Sequence, residues 1–131
     1  MSRWYIDTSA AAKLVITEDE SDALAHELDQ QMPDLVACYL LETELRRIVH
    51  RVEDLTNESV TGLLDRIDLY EVPPSLFRAA GLLHGANVRS LDAIHVAASV
   101  QIGVDALLTY DPRMATAARA VGLPVVAPAP A

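Results

Sequence analysis

Four carboxylates stand where a carboxylate can do chemistry: Asp7, Glu44, Asp92 and Asp111. Asp7 follows the apolar run Trp4-Tyr5-Ile6 and precedes Thr8-Ser9. It reads equally as a turn and helix-cap residue or as an acid at a strand end, held by a hydroxyl two residues on. Asp111 follows Leu107-Leu108-Thr109-Tyr110 and precedes Pro112. Asp as a cap with Pro at the first helical position is a standard helix start, and it leaves one carboxylate oxygen free. Glu44 lies mid-helix among Leu40, Leu41 and Ile48, so it interrupts an apolar stripe. Arg47 offers it a local ion pair as a simpler role. Glu42 competes with it, having Arg46 one turn on as a surface partner; the helical wheel tilts toward Glu44. Asp92 falls in the first turn of Ser90-Leu91-Asp92-Ala93-Ile94-His95-Val96-Ala97-Ala98, where the helix dipole favours an acid. The rest of that helix is apolar nearly all round, and a carboxylate beside buried surface needs a partner or a cation. His95, one turn on, reads as a satisfied edge histidine rather than a ligand.

Positioning these groups falls to short elements that alternate. Strands are expected at Arg3–Ile6, Leu35–Cys38, Leu69–Val72, Asp105–Thr109 and Pro124–Val126. Between them the spacing predicts helices over Ala10–Ile16, Asp22–Gln31 (ended by Pro33), Leu40–Val52, Glu58–Ile67, Pro73 to about Ala86, and Pro112–Ala120 closed by Gly122. A further helix is capped by Ser90 and ended by Gly103. Alternation of this kind implies an α/β fold, a parallel sheet with helices on both faces. Functional crevices in such folds lie beyond the carboxyl ends of the strands, where strand order reverses. Asp7 and Asp111 sit at two such ends, and the helices carrying Glu44 and Asp92 can flank them. Carboxylates gathered so closely cannot all stay ionised unless a cation joins them. Oxygen donors alone favour Mg²⁺ or Mn²⁺ over zinc.

The chain's 131 residues suffice for one domain. Residues 1–127 are read as that domain and Pro128–Ala131 as a frayed tail. Cys38 is the single cysteine, which excludes an internal disulfide and a cysteine zinc site and suits a reducing cytoplasm. No segment approaches the roughly 20 apolar residues of a membrane span. The net charge of −9, from 10 basic and 19 acidic residues, taken alone argues against nucleic-acid binding, since phosphate contacts want a positive footprint. Bound cations would cancel part of it locally, and the remainder suits a basic protein partner.

Taken together, Tyr5-Ile6-Asp7-Thr8-Ser9-Ala10, Glu44-Leu45-Arg46-Arg47, Leu91-Asp92-Ala93-Ile94-His95-Val96-Ala97 and Leu108-Thr109-Tyr110-Asp111 resemble the PIN-domain toxins of VapBC toxin–antitoxin modules. The resemblance runs through essentially the whole chain, in order and spacing. It implies a three-layer α/β/α fold around a mostly parallel sheet of four to five strands. It also implies an acidic site of Asp7, Glu44, Asp92 and Asp111 that binds Mg²⁺ or Mn²⁺, with Ser9 or Thr8 as supporting hydroxyl. The implied activity is an endoribonuclease that blocks translation. The implied partners are an RNA substrate, a second copy in a homodimer, and a small antitoxin whose basic C-terminal segment enters the acidic groove. At the second motif, Glu42 remains an alternative to Glu44.

The chemistry expected is metal-assisted phosphodiester hydrolysis, in which an activated water attacks phosphorus in line. Lys13, Arg89 and Arg113 are candidate phosphate contacts. An aspartyl-phosphate phosphatase would need Asp two residues after Asp7, where Ser9 stands. A phospho-receiver domain would need a late lysine, and Lys13 is the only lysine. A PIN fold that acts by binding alone is the remaining alternative.

Overall fold

The computed structural model describes residues 2–131. Five apolar runs form strands: β1 (Arg3–Ile6), β2 (Asp34–Cys38), β3 (Asp68–Tyr70), β4 (Ala106–Leu108) and β5 (Val125–Val126). They pair in parallel in the order β3-β2-β1-β4-β5, with Tyr5 opposite Val36 on one side and Leu107 on the other. Tyr5, Ile6, Val36, Ala37, Leu107 and Leu108 are fully buried, as expected for strands covered on both faces. Seven helices connect them: α1 (Thr8–Ala12), α2 (Ser21–Gln31), α3 (Leu40–Val49), α4 (Asn57–Leu64), α5 (Pro74–Gly81), α6 (Ser90–Ile102) and α7 (Pro112–Ala120).

Strand order reverses at β1. Right-handed crossovers then place the helices that follow β1 and β2 on one face, and those that follow β3 and β4 on the other. The packing agrees, since α3 lies against α1 and α4 while α6 lies against α5, α7 and β2. This is the three-layer α/β/α architecture expected from the sequence. Alanines at 93, 97 and 98 are buried on α6 and let this central helix approach its neighbours closely. The reversal sets the carboxyl ends of β1 and β4 side by side, the place where such folds carry their functional sites.

Several helices are shorter or shifted from the expected spans. α1 starts at once on Asp7, its cap, and its regular part stops at Ala12 rather than Ile16. α3 ends at Val49 rather than Val52, where the chain turns and Val52 N–H bonds back to the Ile48 carbonyl. α5 ends at Gly81 rather than near Ala86, and Gly85, at φ +125°, bends the chain toward α6. At α6 the cap position belongs to Arg89, with Ser90 the first helical residue, and no side chain caps the helix. α2 ends in a left-handed Met32 (φ 48°), because Pro33 disfavours the right-handed helical conformation before it.

Candidate metal centre at the carboxyl edge of the sheet

Asp7 is the N-cap of α1 and is buried at the end of β1. Its Oδ1 accepts from the Ala10 N–H at 3.0 Å and the Ser9 hydroxyl at 2.8 Å. Its Oδ2 accepts from Thr109 Oγ1 at 2.6 Å. The same Thr109 oxygen accepts the Asp111 N–H at 3.1 Å, so one hydroxyl at the end of β4 ties two of the acids together. Ser9 closes the knot by accepting the Tyr110 N–H at 2.9 Å. Burial raises the Asp7 pKa even against these donors. Asp7 forms no direct ion pair among the described residues, and the nearby charge of His95 offsets the rise only in part.

Glu44 reaches this edge from α3. Its Oε1 accepts from the Thr8 hydroxyl at 2.6 Å and bonds His95 Nε2 at 2.5 Å. Its Oε2 bonds no protein group among the described residues. Glu42 turns away and pairs with Arg46 at 2.9 Å, so Glu44 is the glutamate of this edge. His95 is not at an edge; it is buried, and its Nδ1 lies 2.7 Å from Tyr5 Oη. Tyr5 Oη in turn accepts the Cys38 N–H at 3.1 Å and donates to Cys38 Sγ at 3.2 Å. An imidazolium satisfies every member of this chain, donating from both nitrogens. Burial opposes that charge, but the Cys38 thiol and the Glu44 carboxylate outweigh it and hold the His95 pKa up at about 9. Burial likewise opposes the charge on Glu44, whose pKa is nonetheless lowered by His95 and Thr8.

Asp92 lies in the first turn of α6, half-buried, and its Oδ2 is fully buried with no hydrogen-bond partner among the described residues. Its pKa is raised by burial first and then by the charge of Asp111, with Glu44 adding to the rise, while the charge of His95 and the Arg89 backbone oppose it. Asp92 therefore lies in the field of two other carboxylates. Asp111 caps α7 through Oδ1, which accepts the Arg113 N–H at 2.9 Å. The cap role and an available second oxygen coexist, as its position before Pro112 implied.

No three His, Cys, Asp or Glu side chains stand close enough to hold a metal ion among the described residues. The acids share one edge and one field without closing on a common point. The donor set nevertheless suits a hard divalent cation: an orphaned buried Asp92 Oδ2, unbonded oxygens on Glu44 and Asp111, and an oriented Asp7.

A model of the PIN domain family matches residues 4–120. The chain belongs to the PIN domain family. It is 39% identical to Ribonuclease VapC35 of Mycobacterium tuberculosis over 129 residues, covering 95% of this chain and 96% of the relative. It is 37% identical to Ribonuclease VapC46 of the same species over 130 residues, covering 98% and 99%. Among solved structures, its fold is similar to VapBC2 from Rickettsia felis bound to a promoter DNA fragment. There the TM-score is 0.71 at 12% identity, over 95% of this chain and 98% of that one. It is also similar to Mycobacterium tuberculosis VapC20, a Sarcin-Ricin loop cleaving toxin, at TM-score 0.71 and 17% identity over 87% and 94%.

The PIN domain's candidate phosphate contacts fare differently from one another. Lys13 is bound to Glu20 at 2.8 Å and Glu18 at 3.5 Å, and lies 4.9 Å over the Tyr110 ring. Its side chain is mostly covered in that arrangement and its ammonium is paired within the protein. Arg89 and Arg113 are exposed, next to Asp92 and Asp111 in the chain. Thr109, His95, Tyr5 and Cys38 are members of the site that sequence reasoning missed. Thr109, a hydroxyl two residues before Asp111 at a strand end, was the most legible of them, because it repeats the Asp7–Ser9 spacing in reverse. Thr109→Val keeps its shape and strips both bonds. Cleavage activity is expected to fall about 10–100-fold with a stability loss of only about 1–2 kcal/mol, read by paired activity and urea-unfolding assays.

Proposed function

We propose that this PIN domain is a Mg²⁺- or Mn²⁺-dependent endoribonuclease and the toxin of a toxin–antitoxin pair, cleaving RNA and thereby inhibiting translation. The observation that carries it is the buried, unpartnered Asp92 Oδ2 in the field of Asp111 and Glu44, since leaving such an atom unpaired costs free energy that a bound cation would offset. Asp7, Glu44, Asp92 and Asp111 would hold the cation. When bound, it supplies Lewis acidity toward the scissile phosphate and activates water.

The chain's own groups supply orientation. Ser9, Thr109 and the Ala10 N–H fix both oxygens of Asp7. Thr8 and His95 fix Oε1 of Glu44 and leave Oε2 for the cation. Such supporting bonds set ligand geometry and basicity. Arg89 and Arg113 would meet phosphate oxygens beside the acids. The names of the curated relatives support ribonuclease activity. The net charge of −9 supports a small antitoxin with a basic C-terminal segment, and the solved VapBC2 complex supports pairing with an antitoxin. A homodimer working in the cytoplasm completes the reading.

Expression in a bacterial host is expected to arrest growth, relieved by the co-encoded small protein and lost on Asp7→Asn, with RNA cleavage sites mapped in the arrested cells. The alternative, a PIN fold that works by binding alone, draws on the open spacing of the carboxylates. It expects equal toxicity from Asp7→Asn.

A further inference from the structure

Arg47 sits three residues from Glu44, yet the two form no ion pair: Glu44 is taken by Thr8 and His95. Arg47 and Arg51 are both exposed and unpaired among the described residues. Their neighbour Arg46, by contrast, is fixed to Glu42, Asn57 and Thr61. The two free guanidiniums line a groove of about 360 Å³ whose other walls include Thr8, Glu44, Leu40 and Leu91. In a chain with 19 acidic and 10 basic residues, two unpaired arginines beside an acidic centre form a local reversal of charge.

A second groove of about 310 Å³ adjoins it, sharing Leu40 and Thr43. It is lined by Tyr39 and Phe77, which are 49% and 56% exposed. Every other aromatic side chain of the protein is buried or half-buried: Trp4, Tyr5, Tyr70 and Tyr110. The exposed aromatics on one side, and Glu44 with the free arginines on the other, thus line two grooves that share Leu40 and Thr43.

We propose that one strand of RNA lies along these two grooves, with Arg47 and Arg51 taking its phosphates, Tyr39 and Phe77 stacking its bases, and Glu44 between them. Free guanidiniums next to exposed aromatic faces are the combination that binds single-stranded nucleic acid. Leu91 and Leu40 give the intervening nucleotide an apolar wall. The proposal rests on the ribonuclease reading and supplies the residues of its substrate track.

The test is fluorescence anisotropy with a labelled, mixed-sequence single-stranded RNA of about 12 nucleotides, in excess EDTA so that nothing is cut. Arg47→Gln/Arg51→Gln is compared with Arg66→Gln/Arg119→Gln, which removes the same charge from exposed positions elsewhere. The groove pair is expected to raise Kd at least about tenfold and to flatten the log–log salt slope by about 1.4, two phosphate contacts on a single strand. The control pair is expected to change Kd less than about twofold. Tyr39→Ala is expected to weaken binding about tenfold with the slope unchanged. With Mn²⁺ present, the groove pair is expected to raise KM and leave kcat within about twofold.

Equal Kd values for the groove and control pairs would overturn the track. So would unchanged RNA binding with lost binding of the antitoxin, which would assign the face to a protein. Cleavage that persists with an unaltered KM in the groove pair defeats the track alone. RNA bound through Arg47 and Arg51 but cut under no divalent cation defeats the nuclease reading and leaves the track standing.

Discussion

Asp7→Asn is expected to lower metal-dependent RNA cleavage at least about a thousandfold, because it removes an oriented charge from a largely water-excluded site. The fold is expected to survive. The amide oxygen can keep the Ala10 cap at Oδ1, and asparagine is as good a helix cap as aspartate. The amide nitrogen then faces Thr109 Oγ1, which can rotate its hydrogen away and accept. Burial already penalises the ionised carboxylate here, raising its pKa, so a neutral group relieves part of that cost. Unfolding in urea without metal should therefore leave Asp7→Asn within about 1 kcal/mol of the parent. A variant that loses activity only because it loses its fold would contradict the assignment.

His95→Ala is expected to be the most destabilising single change in the site, at about 3 kcal/mol. It strips Glu44 Oε1 of its cationic partner, leaves Tyr5 Oη facing a void, and opens a cavity in a helix that is otherwise close-packed. Against the roughly 5–15 kcal/mol of a whole domain, that is a large share. Glu44→Gln should cost less, since its side chain is 22% exposed while that of His95 is 1% exposed. Urea unfolding of the two single variants and their double forms a cycle that isolates the pair. A coupling near zero would show that the histidine fills space without holding the glutamate.

The two substitutions also mark what was legible in the chain. Asp7-Thr8-Ser9 is a local constellation: cap, strand end and hydroxyl lie within three residues, and the structure uses each one. Helical phase only tilted the choice toward Glu44 over Glu42, and it took the Glu42–Arg46 pair in the structure to set Glu42 aside. Alternation of strands and helices implied the parallel sheet, and the order reversal at β1 put Asp7 and Asp111 at neighbouring strand ends.

What the chain hid was non-local. His95 was read as an edge residue because its own helix says only that it lies among apolar neighbours. Its partners, Tyr5, Cys38 and Glu44, come from β1, β2 and α3. No spacing rule joins residues 5, 38, 44 and 95; only the strand order does. Lys13 shows the same non-locality: its place about one turn into the first helix suggests a phosphate contact, whereas Glu18 and Glu20 from the next loop pair with it. Helix ends shifted for a similar reason: periodicity continues past Val49 and Gly81, but turns at His50 and Gly85 redirect the chain. The spacing among the four acids was equally out of reach, since they stand at the cap of α1, within α3, in the first turn of α6 and at the cap of α7.

That spacing is where the account is most exposed. Crystals of the protein soaked in Mn²⁺ should show an anomalous peak at the carboxyl edge of the sheet, with Asp92 Oδ2 and at least one oxygen each of Asp7 and Asp111 within about 2.0–2.4 Å of it. Glu44 should turn its Oε2 toward the same peak while Oε1 stays on His95. The peak should vanish in Asp92→Asn. No peak at this edge at saturating Mn²⁺, or a peak that persists undiminished in Asp92→Asn, would contradict the claim that these acids form a metal centre.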